Sequence, residues 1–112
     1  MISLDHQILK DRDLVTLKGR LVASVSADIA DKLIAIFNDG RGVLHLEMSA
    51  VEYIDSKGLS ALVSLMRRVC KEDGSFALVD VSDEVLTLLE LTQLDHAFVL
   101  INSESKGKPR AA

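Results

Sequence analysis

The sequence predicts an α/β fold: a mixed, mostly parallel sheet of four to five strands with helices packed on it, in the element order ββαβαβαβ. Three observations carry this. From Val43 onward, short apolar runs alternate with runs of helical period, the pattern of parallel strands joined by right-handed crossovers. Phe76 to Val81 is almost continuously apolar, as in a parallel strand covered on both faces. Ahead of them, two short strand candidates flank Asp11-Arg12-Asp13, a hairpin turn signature.

The elements follow in order. Gln7 to Lys10 and Leu14 to Lys18 read as the two hairpin strands. Val15 and Leu17 alternate with Thr16 and Lys18, so one face of the second strand should be wet. Gly19 is expected to end it. Ser26 is the expected N-cap of a helix from Ala27 to about Asn38, with Asp28 in its first turn. Ile29, Leu33, Ile36 and Phe37 make its apolar face, and Asn38-Asp39-Gly40 stops it. Val43 to Met48 is the next strand. Asp55-Ser56 opens a helix that runs through Leu59 to Lys71 and stops by Asp73-Gly74. After the strand Phe76 to Val81, Ser82-Asp83-Glu84 opens a further helix, with Val85, Leu88, Leu89 and Thr92 on its buried side. Ala97 to Ile101 is the last strand. The expected organisation is one domain over 1–101 and a polar, flexible tail over 102–112.

Composition narrows the function classes. The chain has 112 residues, 48% apolar, 4% aromatic and no Trp. Stacking platforms for single-stranded nucleic acid need aromatics, so that class is disfavoured. The formal charge is −4, from 13 basic and 17 acidic residues. Lys106, Lys108 and Arg110 against Glu104 belong to 102–112, which leaves 10 basic and 16 acidic residues in the body, or −6. Such a body repels DNA, RNA and anionic lipid unless a local patch overrides it. The N-terminus lacks the basic start and apolar core of a signal peptide. No apolar run approaches the roughly 20 residues of a membrane helix. A cytoplasmic protein without membrane insertion is expected. The single cysteine, Cys70, falls on the apolar stripe of its helix and reads as a small buried hydrophobe.

Catalytic motifs are lacking. His6, His45 and His96 lie far apart, and none has metal-ligand spacing with Cys70 or another His. Gly40-Arg41-Gly42 lacks the remainder of a P-loop. Ser56 lacks the Gly-x-Ser-x-Gly frame of a hydrolase elbow. The residues therefore imply no cofactor, no metal and no enzyme.

The chemistry concentrates at Tyr53-Ile54-Asp55-Ser56-Lys57-Gly58-Leu59. Asp55 and Ser56 fall on a strand-to-helix turn. Free N–H groups and the positive end of the helix dipole favour a phosphate there. Two readings stand open: plain helix capping, since Asp and Ser are both favoured N-caps, or a phosphorylation switch at Ser56. On the helix that follows, Leu59, Leu62, Val63, Met66, Val69 and Cys70 form the expected inward stripe. Lys57, Ser60, Ser64, Arg67, Arg68 and Lys71 form the outward one. That outward stripe is either a solvated face or a docking face for an acidic partner.

These residues resemble the STAS domains, especially the bacterial anti-sigma factor antagonists. The resemblance runs from about Ile8 to Ile101. It rests on Gly19-Arg20-Leu21, on Leu44-His45-Leu46-Glu47-Met48-Ser49 and on the Asp55-Ser56-Lys57-Gly58-Leu59 turn. Phe76 to Val81 and Val85 to Leu94 supply the later blocks. It implies the STAS fold and a protein that binds an anti-sigma factor with serine kinase activity, releasing a sigma factor. The kinase would phosphorylate Ser56 and end binding; a serine phosphatase would restore it. Asp55, Ser56, Lys57, Gly58, Leu59, Ser60, Ser64 and Arg67 would meet the partner. Two departures stand out: Val22 replaces an acidic residue that often follows Gly-x-Leu, and Glu47-Met48-Ser49 replaces a common Asp-Leu-Ser. The resemblance leaves other roles open. One is an accessory subunit of a membrane lipid-transport ABC complex. A scaffold piece of a stress-signalling assembly is another, although 112 residues leave no room for its usual sensory domain.

Overall fold

The structure, a computed structural model, describes residues 2–102. Eight elements follow one another: β1 Ile2–Ile8, β2 Asp13–Leu21, α1 Ala23–Asp39, β3 Val43–Ile54, α2 Ser56–Lys71, β4 Ser75–Val79, α3 Asp83–Leu91 and β5 Val99–Ile101. This is the expected ββαβαβαβ order. The sheet has five strands in the order β1-β2-β3-β4-β5. β1 and β2 pair antiparallel, and the remaining neighbours pair parallel. The expected tail over 102–112 lies, from residue 103 on, outside the described residues.

One face of the sheet meets all three helices. Val15, Leu17, Leu44, Leu46, Met48, Phe76 and Leu78 join Ile29, Leu33 and Phe37 of α1, Leu59, Leu62, Leu65 and Val69 of α2, and Val85 and Leu89 of α3 in a single core. Strand alternation explains the set, because every second residue points to the same side. On the opposite face Thr16, His45 and Glu47 are half-buried. β4 is buried from Phe76 to Val79 on both sides, as its unbroken apolar run predicts.

Several boundaries differ from the sequence expectation, each for a physical reason. β1 begins at Ile2 and ends at Ile8, because Leu9 N–H closes the turn onto the Arg12 carbonyl at 2.9 Å. β2 does not stop at Gly19: that residue takes φ 118° beside a register shift, and the strand continues to Leu21. Glycine here permits a bulge instead of an end. β3 extends to Ile54, past the expected Met48, since Ala50, Val51, Tyr53 and Ile54 pair with the prolonged end of β2. α1 starts four residues early, at Ala23. Ser26 lies inside it, buried, with its hydroxyl directed to the Ala23 carbonyl at 3.4 Å. α3 is capped as expected, Ser82 Oγ accepting from Val85 N–H at 3.4 Å and donating to the Val51 carbonyl at 2.8 Å.

The stripe of α2 is rotated relative to the sequence reading. Gly58, Leu59, Leu62, Leu65 and Val69 are buried, Val63 and Met66 are half-buried, and Cys70 is exposed. Leu65, one helical turn before Val69, takes the inward place assigned to Cys70. Thr92 is likewise exposed, its hydroxyl bonded back to the Leu88 carbonyl at 2.8 Å.

Candidate functional site

The site forms where β3 ends and α2 begins. Asp55 is the N-cap of α2, with extended backbone, φ −102° and ψ −176°. Its Oδ1 accepts the Gly58 N–H at 2.8 Å. Its Oδ2 accepts the Ala23 N–H, the first of α1, at 2.9 Å. Its own N–H donates to the Leu21 carbonyl at 3.3 Å. One carboxylate therefore serves the starts of two helices and ties the β2–α1 junction to the β3–α2 junction. The Gly58 N–H foremost, opposed by desolvation and assisted by the Ala23 N–H, holds the Asp55 carboxyl below its ordinary range.

Ser56 is the first residue of α2 and is exposed. Since Asp55 does the capping, the Ser56 hydroxyl makes no hydrogen bond to any described residue. Lys57 is exposed as well. Gly58 is buried, and a Cβ there would collide with the Leu21 carbonyl oxygen and sit 2.9 Å from Ile54 Cγ1. Glycine is needed because backbone crosses backbone at this point. Leu59 belongs to the core.

Past Ser56 an open groove of about 440 Å³ runs along α2, lined by Ser56, Leu59, Ser60, Val63, Ser64, Arg67 and Leu94. The structure thus brings together Ser56, Ser60, Ser64 and Arg67, with Lys57 beside them. It withdraws Gly58 behind the surface and leaves Leu59 as a groove wall. Arg68 is engaged with Glu72 at 2.7 Å, whereas Lys57, Arg67 and Lys71 have no ion-pair partner among the described residues. Sequence reasoning missed Leu94, which arrives from beyond α3, and Arg20, whose guanidinium lies 4.8 Å above the Tyr53 ring. The strand register that pairs Arg20 with Tyr53 was the available signal, but only for a β3 long enough to reach it.

The histidines do not converge. His6 Nε2 lies 2.9 Å from Oδ1 of buried Asp13, His96 lies 3.6 Å from Asp95, and His45 sits in β3 with its imidazole pKa lowered by burial and then by Arg12. Among the described residues no group of three or more His, Cys, Asp or Glu could hold a metal, and no helix is long and apolar enough to cross a membrane.

This sheet order and this turn are accompanied by a direct match: residues 7–107 fit the STAS domain family. The chain is a STAS domain protein. A candidate anti-sigma factor antagonist of Thermotoga maritima is 33% identical over 70 residues, 62% of this chain and 62% of that protein. The chain therefore spans less than two thirds of the length of that relative. The anti-sigma-B factor antagonist of Bacillus subtilis is 27% identical over 93 residues, 83% of this STAS chain and 84% of the relative. The crystal structure of a candidate anti-sigma factor antagonist from Thermotoga maritima superposes with a TM-score of 0.83 at 25% identity, over 93% of this chain and 90% of the other.

Proposed function

We propose that this STAS domain is an anti-sigma factor antagonist, switched by phosphorylation of Ser56. The unmodified form binds an anti-sigma factor that is also a serine kinase and so frees a sigma factor. Phosphate on Ser56 ends the complex, and a serine phosphatase restores it. The observation that carries this reading is the division of labour at the turn: Asp55 takes both caps, and an exposed Ser56 hydroxyl is left unengaged at the mouth of a groove. The relatives named above support the antagonist role.

The physics favours an interface switch over unfolding. A phosphoserine brings about −1.5 to −2 charges at neutral pH. At a helix N-terminus such a charge is favourable by roughly 0.3–1 kcal/mol, and Asp55 and Glu52 oppose it by a similar amount. A buried, unpaired charge in a closed interface costs ~3–5 kcal/mol. That is about two to three and a half orders of magnitude in affinity.

The test uses the purified chain, ATP and the serine-kinase anti-sigma factor of the same genome. Intact mass should rise by one phosphate, mapped to Ser56, and Ser56→Ala should bind yet stay unmodified. Ser56→Asp should keep the wild-type circular dichroism and bind about 100–3000-fold more weakly. Unchanged affinity of Ser56→Asp would refute the switch.

A further inference from the structure

A second open groove, of about 470 Å³, lies between the end of β3 and α3 and is lined by Tyr53, Ile54, Glu84, Thr87, Leu88 and Leu91. The α3 members recur at helical spacing and form one stripe. Tyr53 is 46% exposed and Leu91 76% exposed, and neither belongs to the core. Folding alone does not call for two large apolar side chains placed together in solvent. Arg20 stacks on the Tyr53 ring and holds it in place.

The charged residue that lines this groove is acidic, Glu84, and the exposed Glu52 and Glu90 are the chain neighbours of Tyr53 and Leu91. None of the three has an ion-pair partner among the described residues. Arg20 is the neighbouring cation, held over the Tyr53 ring at 4.8 Å from its centroid. The charged residue that lines the α2 groove is instead a cation, Arg67, with exposed Lys57 and Lys71 on the same helix. Ser56 lies in the wall of the groove with Arg67, and Tyr53 and Ile54, just before it, lie in the wall of the one with Glu84.

We propose that the Tyr53–Leu91 groove is a docking point for an amphipathic helix of a partner protein. One apolar side chain of that helix seats between Tyr53 and Leu91, and Lys or Arg residues flank it against Glu84, Glu52 and Glu90. An apolar anchor in a pocket with a charged rim is how protein interfaces concentrate affinity and orient their partners. The inference rests on the antagonist reading only for the identity of the partner, which would cover Ser56 and this groove together.

The chain supplies its own reporter: Tyr53 is its single Tyr, and there is no Trp. The probe is a short synthetic helix with Leu at helical spacing and Lys flanks, free of Tyr and Trp. Its twin carries Glu flanks. The Lys peptide should change Tyr53 emission saturably, and the twin should bind about tenfold more weakly. Leu91→Ala should weaken the Lys peptide by about tenfold, and Glu84→Lys should reverse the order of the twins. Both positions are exposed, and circular dichroism checks each fold. No saturable change, equal affinity for the twins, or indifference to Leu91→Ala overturns the proposal. A dimer seen in sedimentation and lost in Leu91→Glu also overturns it, in favour of a second copy of the chain. Peptide binding by a chain that no kinase modifies would sink the switch and spare the groove; modification at Ser56 without peptide binding would do the reverse.

Discussion

The two helices that meet at Asp55 begin in opposite ways. α2 carries its cap in the residue just before it, where Asp55 reaches forward to the Gly58 N–H. α1 begins after Val22, which offers no side-chain acceptor, and borrows the other oxygen of the same Asp55 from 32 residues away. The first start is written locally and is visible in the sequence. The second exists only because β2 and β3 run side by side and deliver their ends to one place. Its lesson concerns Ser56: one carboxylate that satisfies both helices leaves the neighbouring hydroxyl with no structural duty.

The sharpest way to break this arrangement is Gly58→Val. The new side chain must displace the Leu21 carbonyl or lift α2 from the β2–α1 junction. A loss of about 3 kcal/mol is expected, a fall in Tm of roughly 12–24 °C for a domain of this size, read by thermal denaturation. This relocates the reason for sensitivity at Gly58 from partner docking to backbone packing.

Next in size is Asp55→Ala, which uncaps two helices at once. Ser82→Ala, which uncaps α3 and also removes the bond to the Val51 carbonyl, should cost about 1–2 kcal/mol. The expected outcome is a larger fall in Tm for Asp55→Ala than for Ser82→Ala, together with faster amide exchange at Ala23 and Gly58. Unchanged amide exchange at Ala23 in Asp55→Ala would mean that the borrowed cap of α1 contributes nothing.

A smaller effect should appear in acid. The Asp55 carboxyl titrates below its ordinary 3.8 in the fold, so the unfolded chain takes up that proton first as pH falls. The contribution is complete above about pH 4 and fades as pH drops through the folded value. Asp55→Asn should therefore flatten the acid limb of a stability–pH curve while leaving its neutral shape alone.

The smallest effect belongs to Cys70. Because it is exposed, it should react with a thiol reagent in the native state without a lag, and Cys70→Ser should leave the unfolding free energy within about 0.5 kcal/mol of wild type. Protection of the thiol would restore the buried placement that periodicity suggested.

How much of the site was legible follows from these cases. The Asp55-Ser56 turn, the exposed Ser56 and the small-residue and basic face of α2 could be read directly, because capping chemistry and helical period act within a few residues. Gly58 was recognised but the group it packs on was not, since that carbonyl belongs to Leu21. Leu94 and Arg20 were missed because they reach the site from other elements.

The order of the elements, the antiparallel start of the sheet and the apolar stripes of its core were in the amino-acid sequence, carried by periods of two and about three and a half residues. Only the tertiary structure decided where α1 starts, how far β3 runs, which way Cys70 faces and that Ser56 lines one groove with Arg67 while Tyr53 and Ile54 line another with Glu84. Those outcomes depend on groups far apart in the chain meeting in space, and local periodicity holds no record of who meets whom.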